Sequence, residues 1–141
     1  GCVGVRERVP AKVWSERYDT INQFAHHLAQ KGVIIFTFFR PISNEEQAEQ
    51  LRERLTDPTK NWKFREGDLE DRKLWKDFTG AYKDALRKCS TSWAPWYVVP
   101  ADNKAARNLL ITETINERLR KLKLQYPRAT PEILRLLKTI E

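Results

Sequence analysis

The sequence predicts an α/β protein built on an incomplete parallel, doubly wound sheet. Two short apolar strands, a long helical excursion between them, and amphipathic helices before and after them carry that prediction. The strands are VIIFTFF at Val33 to Phe39 and the run from Trp96 to Val99. Two strands are too few to complete a sheet of this kind.

With 141 residues the chain has one domain's length, and 1–141 is expected to form a single domain without disulfides or metal as staples. Its 40% apolar residues exclude a disordered chain, and its 32% charged residues give a heavily charged surface. Lys and Arg outnumber Asp and Glu by 26 to 19, which favours polyanionic partners: nucleic acid, nucleotides, polyphosphate or acidic lipid. Cys2 and Cys89 stand far apart without CxxC spacing, so both read as reduced thiols in a cytoplasmic protein. The apolar run at Val33 to Phe39 is far below the roughly 18 residues needed to span a bilayer, and no signal-peptide pattern opens the chain.

The first helix is predicted from about Pro10 to Lys31, because Trp14, Tyr18, Ile21, Ala25 and Leu28 recur at three- and four-residue steps. Gly32 is placed to cap it. The following strand is apolar on both parities, as expected of a strand covered on both faces, and Pro41 ends it. Ser43 and Glu46 form a capping-box pattern, and the helix behind them carries a narrow seam of Ala48, Leu51 and Leu55 before Asp57-Pro58 stops it. Asp68 is a candidate cap for a returning helix through Trp75, Phe78, Tyr82 and Leu86 to about Lys88, expected to pack firmly. After the second strand, Asp102 is a candidate cap for a long helix through Ile111, Ile115, Leu119 and Leu122. Thr130-Pro131 opens a last short helix with Ile133, Leu137 and Ile140 on one face, so 102–141 reads as C-terminal helices.

Several chemistries are poorly supported. His26 and His27 are adjacent on a helix, about 100° apart around its axis, which suits neither a catalytic arrangement nor chelation of one metal ion. No metal site is expected, since HExxH and Cys/His ligand spacings are missing. None of the five glycines belongs to a GxxxxGK[ST] phosphate loop.

The remaining chemistry lies at the tip of the excursion, in DPTKNWKFREGD from Asp57 to Asp68. Arg52, Arg54, Lys60, Lys63 and Arg65 could neutralise a run of phosphates, the electrostatic work that phosphoryl transfer chiefly requires. The plainer reading is a solvated charged tip, since Glu49, Glu53, Asp57 and Glu66 partly neutralise it. Trp62 and Phe64 could stack on bases, but beside a proline turn they are expected to anchor the turn to the neighbouring helix. Lys104 and Arg107 occupy the first turns after a strand end, where α/β folds bind ligands, and they oppose the helix dipole unless a phosphate is near.

The ordered motifs VW-x2-RY-x2-IN-x-F (Val13 to Phe24), FF-x2-IS-x2-EQ (Phe38 to Gln47), R-x2-DP-x3-WKF (Arg54 to Phe64), D-L-x-D-R-x2-W (Asp68 to Trp75) and ST-x-W-APWYVVPAD-x-K (Ser90 to Lys104) resemble the C-terminal half of the polyphosphate kinase 2 family. The resemblance reaches Tyr126-Pro127. It implies a P-loop-kinase-like sheet, magnesium dependence of the complete enzyme, and phosphoryl transfer between inorganic polyphosphate and nucleoside mono- or diphosphates. It further implies that about 43–88 is a lid module. Arg54, Lys60, Lys63 and Arg65 then face phosphates, Asp57, Trp62, Phe64 and Asp68 shape the lid, and Lys104, with Arg107, lies toward the nucleotide. Thr37, Arg40-Pro41 and Gln50 depart from the family's usual residues. The glycine-rich phosphate loop of the family's first half has no counterpart here, so the chain alone is expected to bind no magnesium and to transfer little phosphate. Its implied partners are polyphosphate and nucleotides, with another copy or a complementary N-terminal half covering the open sheet; membrane is excluded and nucleic acid disfavoured.

Overall fold

The computed structural model describes residues 5, 6, 10–136 and 140. Cys2 and Leu137, read above as a thiol and as a face residue of the last helix, lie outside the described residues. The chain divides into two compact units, Gly1–Ile111 and Thr112–Glu141.

The first unit opens with helix α1 (Ala11–Gln30). Its end is a Schellman motif: the Gly32 N–H donates to the Ala29 carbonyl and the Val33 N–H to the Leu28 carbonyl, at 2.9 and 3.1 Å. Gly32 stands at φ +83°, a conformation that side chains with a Cβ adopt only under strain. Trp14, Tyr18 and Ala25 turn inward, whereas Ile21 does not: with Val13 and the 64%-exposed Phe24 it forms a second apolar face open to solvent. The apolar arc of α1 is thus wider than the neighbour that covers it.

Strand β1 (Thr37–Phe39) pairs in parallel with β2 (Trp96–Val98), in the register Thr37 to Trp96, Phe38 to Tyr97 and Phe39 to Val98. The pairing continues past both strands, where the Val99 and Ala101 N–H groups donate to the Phe39 and Pro41 carbonyls at 2.8 and 2.9 Å. Regular strand is thus shorter than the apolar runs that predict it. Phe36, Phe38 and Tyr97 cluster with centroids 5.3 to 6.2 Å apart, while Phe39 meets Tyr82 at 4.7 Å. The strands are half-buried rather than enclosed on both faces, and Val98 is exposed. In a two-stranded sheet every strand is an edge strand, which leaves these faces open.

Between the strands runs the excursion: α2 (Asn44–Thr56), a 3-10 turn (Asn61–Lys63), α3 (Glu66–Lys73) and α4 (Trp75–Cys89). The returning helix predicted as one piece is therefore two, divided at Leu74, whose N–H turns to the Asp71 carbonyl at 3.2 Å. The halves are held by different neighbours. Arg72 of α3 bonds to the start of α2, and α4 packs along α1. There the Asn22 amide donates to the Lys88 carbonyl at 2.7 Å and the Lys88 ammonium lies 4.7 Å from the Tyr18 ring centroid. Packing of α4 is looser than its stripe suggests, since Cys89 is its only buried residue and Tyr82 is exposed. Burial raises the Cys89 thiol above its ordinary pKa, which disfavours the reactive thiolate.

Helix α5 (Lys104–Lys121) follows β2. Its cap is Asn103, whose Oδ1 accepts the Ala106 N–H at 3.0 Å, and not Asp102. Ile111 and Ile115 are half-buried, while Leu119 and Leu122 are exposed. In the second unit α6 (Pro131–Leu136) begins at Thr130-Pro131 as read from the sequence, with Thr130 Oγ1 accepting the Ile133 N–H. Ile133 and Ile140 are exposed. No helix among the described residues is long and apolar enough to cross a membrane.

Candidate functional site: the charged excursion

The excursion leaves the sheet at the carboxyl end of β1. Ser43 caps α2 with its hydroxyl oxygen, which accepts the Glu46 N–H at 3.0 Å. The reciprocal half of the predicted capping box does not form. Glu46 instead accepts from the Gln50 amide at 2.8 Å, and the Ser43 N–H donates to Asp102 Oδ1 at 2.8 Å. From α3, the Arg72 guanidinium donates to the Asn44 carbonyl, to Asn44 Oδ1 and to Gln47 Oε1, at 2.9, 2.6 and 2.9 Å. Arg72 was not among the residues singled out for a role; its place in the D-L-x-D-R motif was the available signal.

At the far end Asp57 stops α2 and shapes the turn. Its Oδ1 accepts the Thr59 N–H and hydroxyl at 2.9 and 2.7 Å, an Asx turn. The Lys60 ammonium pairs with Glu53 and, at 3.2 Å, with Asp57 Oδ2. Hydrogen bonds from Lys60 to Glu53 and from Thr59 to Asp57 hold both carboxyls below their ordinary pKa, and both acids raise that of Lys60. Lys104 also lowers Glu53 through its charge, after the larger effect of Lys60. Arg107 instead donates to Asn108 Oδ1 on its own helix at 2.9 and 3.1 Å.

Asp68 is the third residue of α3 rather than its cap, and its carboxylate reaches back to the Arg65 N–H at 3.3 Å. The helix starts earlier than predicted because an acid at this position serves the helix end from inside. The same carboxylate lies 3.5 Å from Arg54 and 3.6 Å from Arg65, so Asp68 brings two of the predicted cations together. The Arg65 side chain is 82% exposed. Lys63 lies 5.1 Å from the Trp62 ring centroid. Trp62 does not bury its ring against a neighbouring helix: the residue is 77% exposed, and besides Lys63 it meets the Thr59 carbonyl, to which its indole N–H donates at 3.0 Å. An indole with both partners inside its own turn needs no helix to hold it.

Alongside, a cavity of about 610 Å³ opens between the end of β1 and α4, lined by Phe39, Arg40, Trp75, Phe78, Tyr82 and Lys83 among others. Pattern reading did not find it, because its walls come from separate segments. Among the described residues no group of three or more His, Cys, Asp or Glu could hold a metal ion. What the arrangement offers chemically is several cations on one hairpin, Arg54, Lys60 and Arg65 paired to carboxylates and Lys63 set over a ring.

Parallel strands joined by a helical excursion and flanked by helices define an α/β protein of P-loop-kinase-like fold. The family model for polyphosphate kinase 2 matches residues 4–127, and the chain belongs to that family. The crystal structure of polyphosphate kinase 2 from Arthrobacter aurescens TC1 superposes with a TM-score of 0.83 at 36% identity, covering 93% of this chain and 48% of that one. The AMP/ADP-polyphosphate phosphotransferase of Meiothermus ruber is 48% identical over 125 residues, which are 89% of this chain and 47% of that protein. A Leptolyngbya boryana protein described only as an uncharacterized protein in the chlN 3' region is 36% identical over 115 residues, covering 82% of this chain and 85% of that protein. The chain thus spans about half the length of the Meiothermus and Arthrobacter proteins.

Proposed function

We propose that this chain is the lid-bearing portion of a polyphosphate-dependent nucleotide phosphotransferase, inactive until a phosphate-loop portion is supplied. The observation that carries this reading is the excursion itself, with Arg54, Lys60, Lys63 and Arg65 on a hairpin rooted at the carboxyl end of a parallel strand. Polyphosphate entering the tip exchanges Glu53, Asp57 and Asp68 for its own oxygens, and the freed cations stabilise charge on the transferred group. Nucleotide approaches from the side of Lys104. Magnesium, which the complete enzyme requires on this reading, would supply further neutralisation of phosphate. A cytoplasmic setting, where nucleotides and thiols such as Cys89 coexist, fits the reading.

Titration with polyphosphate of defined length tests the binding half. Replacing Lys60, Lys63 and Arg65 together by Ala should weaken affinity by about tenfold or more at low salt, with the difference shrinking as salt rises. Phosphoryl transfer by the chain alone should stay at background and appear when a segment carrying a glycine-rich phosphate loop is co-expressed. Robust turnover by the isolated chain would overturn this reading.

The open edges of β1 and β2 and the exposed Val13, Ile21 and Phe24 support a partner surface. A complementary half or a second copy covers it, and sedimentation with and without the co-expressed half separates the two; a strict monomer that ignores the added half removes both. A second reading is a non-catalytic polyanion-binding or assembly module; the Leptolyngbya protein is a relative of similar span, 85% of it being covered. That reading predicts salt-sensitive polyphosphate binding without activity in any combination.

A further inference from the structure

The bond between Asp102 and Ser43 joins two connections that are far apart in sequence and adjacent in space. Asp102 follows β2, while Ser43 is the residue from which α2 springs. Each has another use open to it that it does not take. Asp102 leaves the capping of α5 to Asn103, and the Ser43 N–H leaves the Glu46 carboxylate to Gln50. Backbone pairing between Ala101 and Pro41, at 2.9 Å, brings the two connections side by side, so the carboxylate meets the N–H without bending either strand. Hydrogen bonds with an ionised acceptor are short and roughly twice as strong as neutral ones, and this one measures 2.8 Å.

We propose that Asp102 is a positioning residue, a clasp that sets the angle at which the excursion leaves the sheet and couples that angle to the Lys104 side of the site. The coupling rests on the reading of the excursion as a lid. Asp102 lies two positions before Lys104, and its carboxylate grips the N–H of Ser43, the residue that caps α2. A displacement of the β2–α5 connection by a ligand at Lys104 is therefore transmitted to the root of α2 through this bond, beside the Ala101–Pro41 pairing that holds the two connections together. The Ser43 hydroxyl is not part of the clasp: it caps α2 whichever way the N–H points.

Hydrogen exchange of the full chain, read by mass spectrometry and by NMR at single amides, tests the clasp. In the unaltered chain the Ser43 amide should exchange at least about tenfold more slowly than the Asn44 and Glu45 amides of the same first turn. Asp102→Ala should accelerate exchange about tenfold across 44–56, while α1 and α4 stay unchanged. Asp102→Asn keeps an oxygen acceptor and should remain within about threefold of the unaltered chain. A uniform rise across α1 and α4 in Asp102→Ala, no rise in 44–56, or failure of the Asn variant to rescue would each overturn the clasp. If Asp102→Ala does not fold, the Ser43 amide and the Asn variant still decide it. The two readings fail separately: with the exchange pattern intact, absence of polyphosphate binding by the unaltered chain would remove the lid and leave the clasp.

Discussion

The root and the tip of the excursion carry similar residues and are held by different kinds of bond. At the tip most partners are sequence neighbours, Asp57 with Thr59 and Lys60, Trp62 with Thr59 and Arg65 with Asp68, and the longest reach is Arg54 to Asp68 across 14 positions. At the root they come from elsewhere, Arg72 reaching Asn44 across 28 positions and Asp102 reaching Ser43 across 59. The tip can therefore rearrange without disturbing the sheet, whereas moving the root breaks contacts between elements. On the proposed function, in which the hairpin stays placed and yet exchanges carboxylates for another anion, this division is what the lid needs.

Arg72→Ala gives the largest expected effect, because it removes three bonds and leaves Asn44 and Gln47 acceptors half-buried. Stability to urea should fall by about 2 kcal/mol; a loss below about 0.5 kcal/mol would show that the root is no better tied than the tip. Ser43→Ala removes only the local cap and should cost about 1 kcal/mol by the same measurement. A cost equal to that of Arg72→Ala would erase the distinction between local and cross-element bonds.

Trp62→Ala should change stability by less than about 0.5 kcal/mol, since the ring is mostly in solvent. A larger loss would mean that the turn depends on a ring contact not made here. Glu53→Gln, which frees Lys60 from one acid, should raise polyphosphate affinity a few-fold, on the order of the energy of an exposed ion pair. Unchanged affinity would mean that Lys60 does not meet the anion.

The smallest effect concerns pH. The lowered carboxyls of Glu53 and Asp57 stabilise the tip above their ordinary values, 4.5 and 3.8, and that contribution is lost as pH falls through their folded values. The raised Lys60 contributes fully below its ordinary 10.5 and loses its share as pH rises through its folded value. The indole N–H resonance of Trp62, bonded within this turn, should thus stay constant from about pH 5 to about pH 10 and shift in acid below about pH 4. A shift near neutrality would point to a titrating neighbour outside the tip.

Legibility in the sequence followed the same division. Gly32 as a helix end, Ser43 as a cap, Asp57 as a stop and Thr130-Pro131 as a start were readable because each acts on groups within a few positions. Asp68 was read as a cap and proved to be the third helical residue, since both roles place an acid at a helix start. The break at Leu74 carried no glycine or proline to announce it; only the separate anchoring of α3 and α4 accounts for it. Asp102 was read as a cap because its sequence neighbours allowed it, while the partner it took was invisible at that range.

By itself, then, the sequence determined the order of elements, the family, the placement of the cations on one hairpin and most helix ends. The family follows from the order of the quoted motifs; the elements and their ends follow from side-chain periodicity and from bonds that close within a turn or two, whose outcome depends on nothing distant. Only the tertiary structure decided which acids hold which cations, how far the apolar faces of α1 and the strands are covered, and that Arg72 and Asp102 fix the root. Those outcomes depend on which segments the parallel pairing of β1 and β2 brings side by side, and no local pattern encodes that pairing.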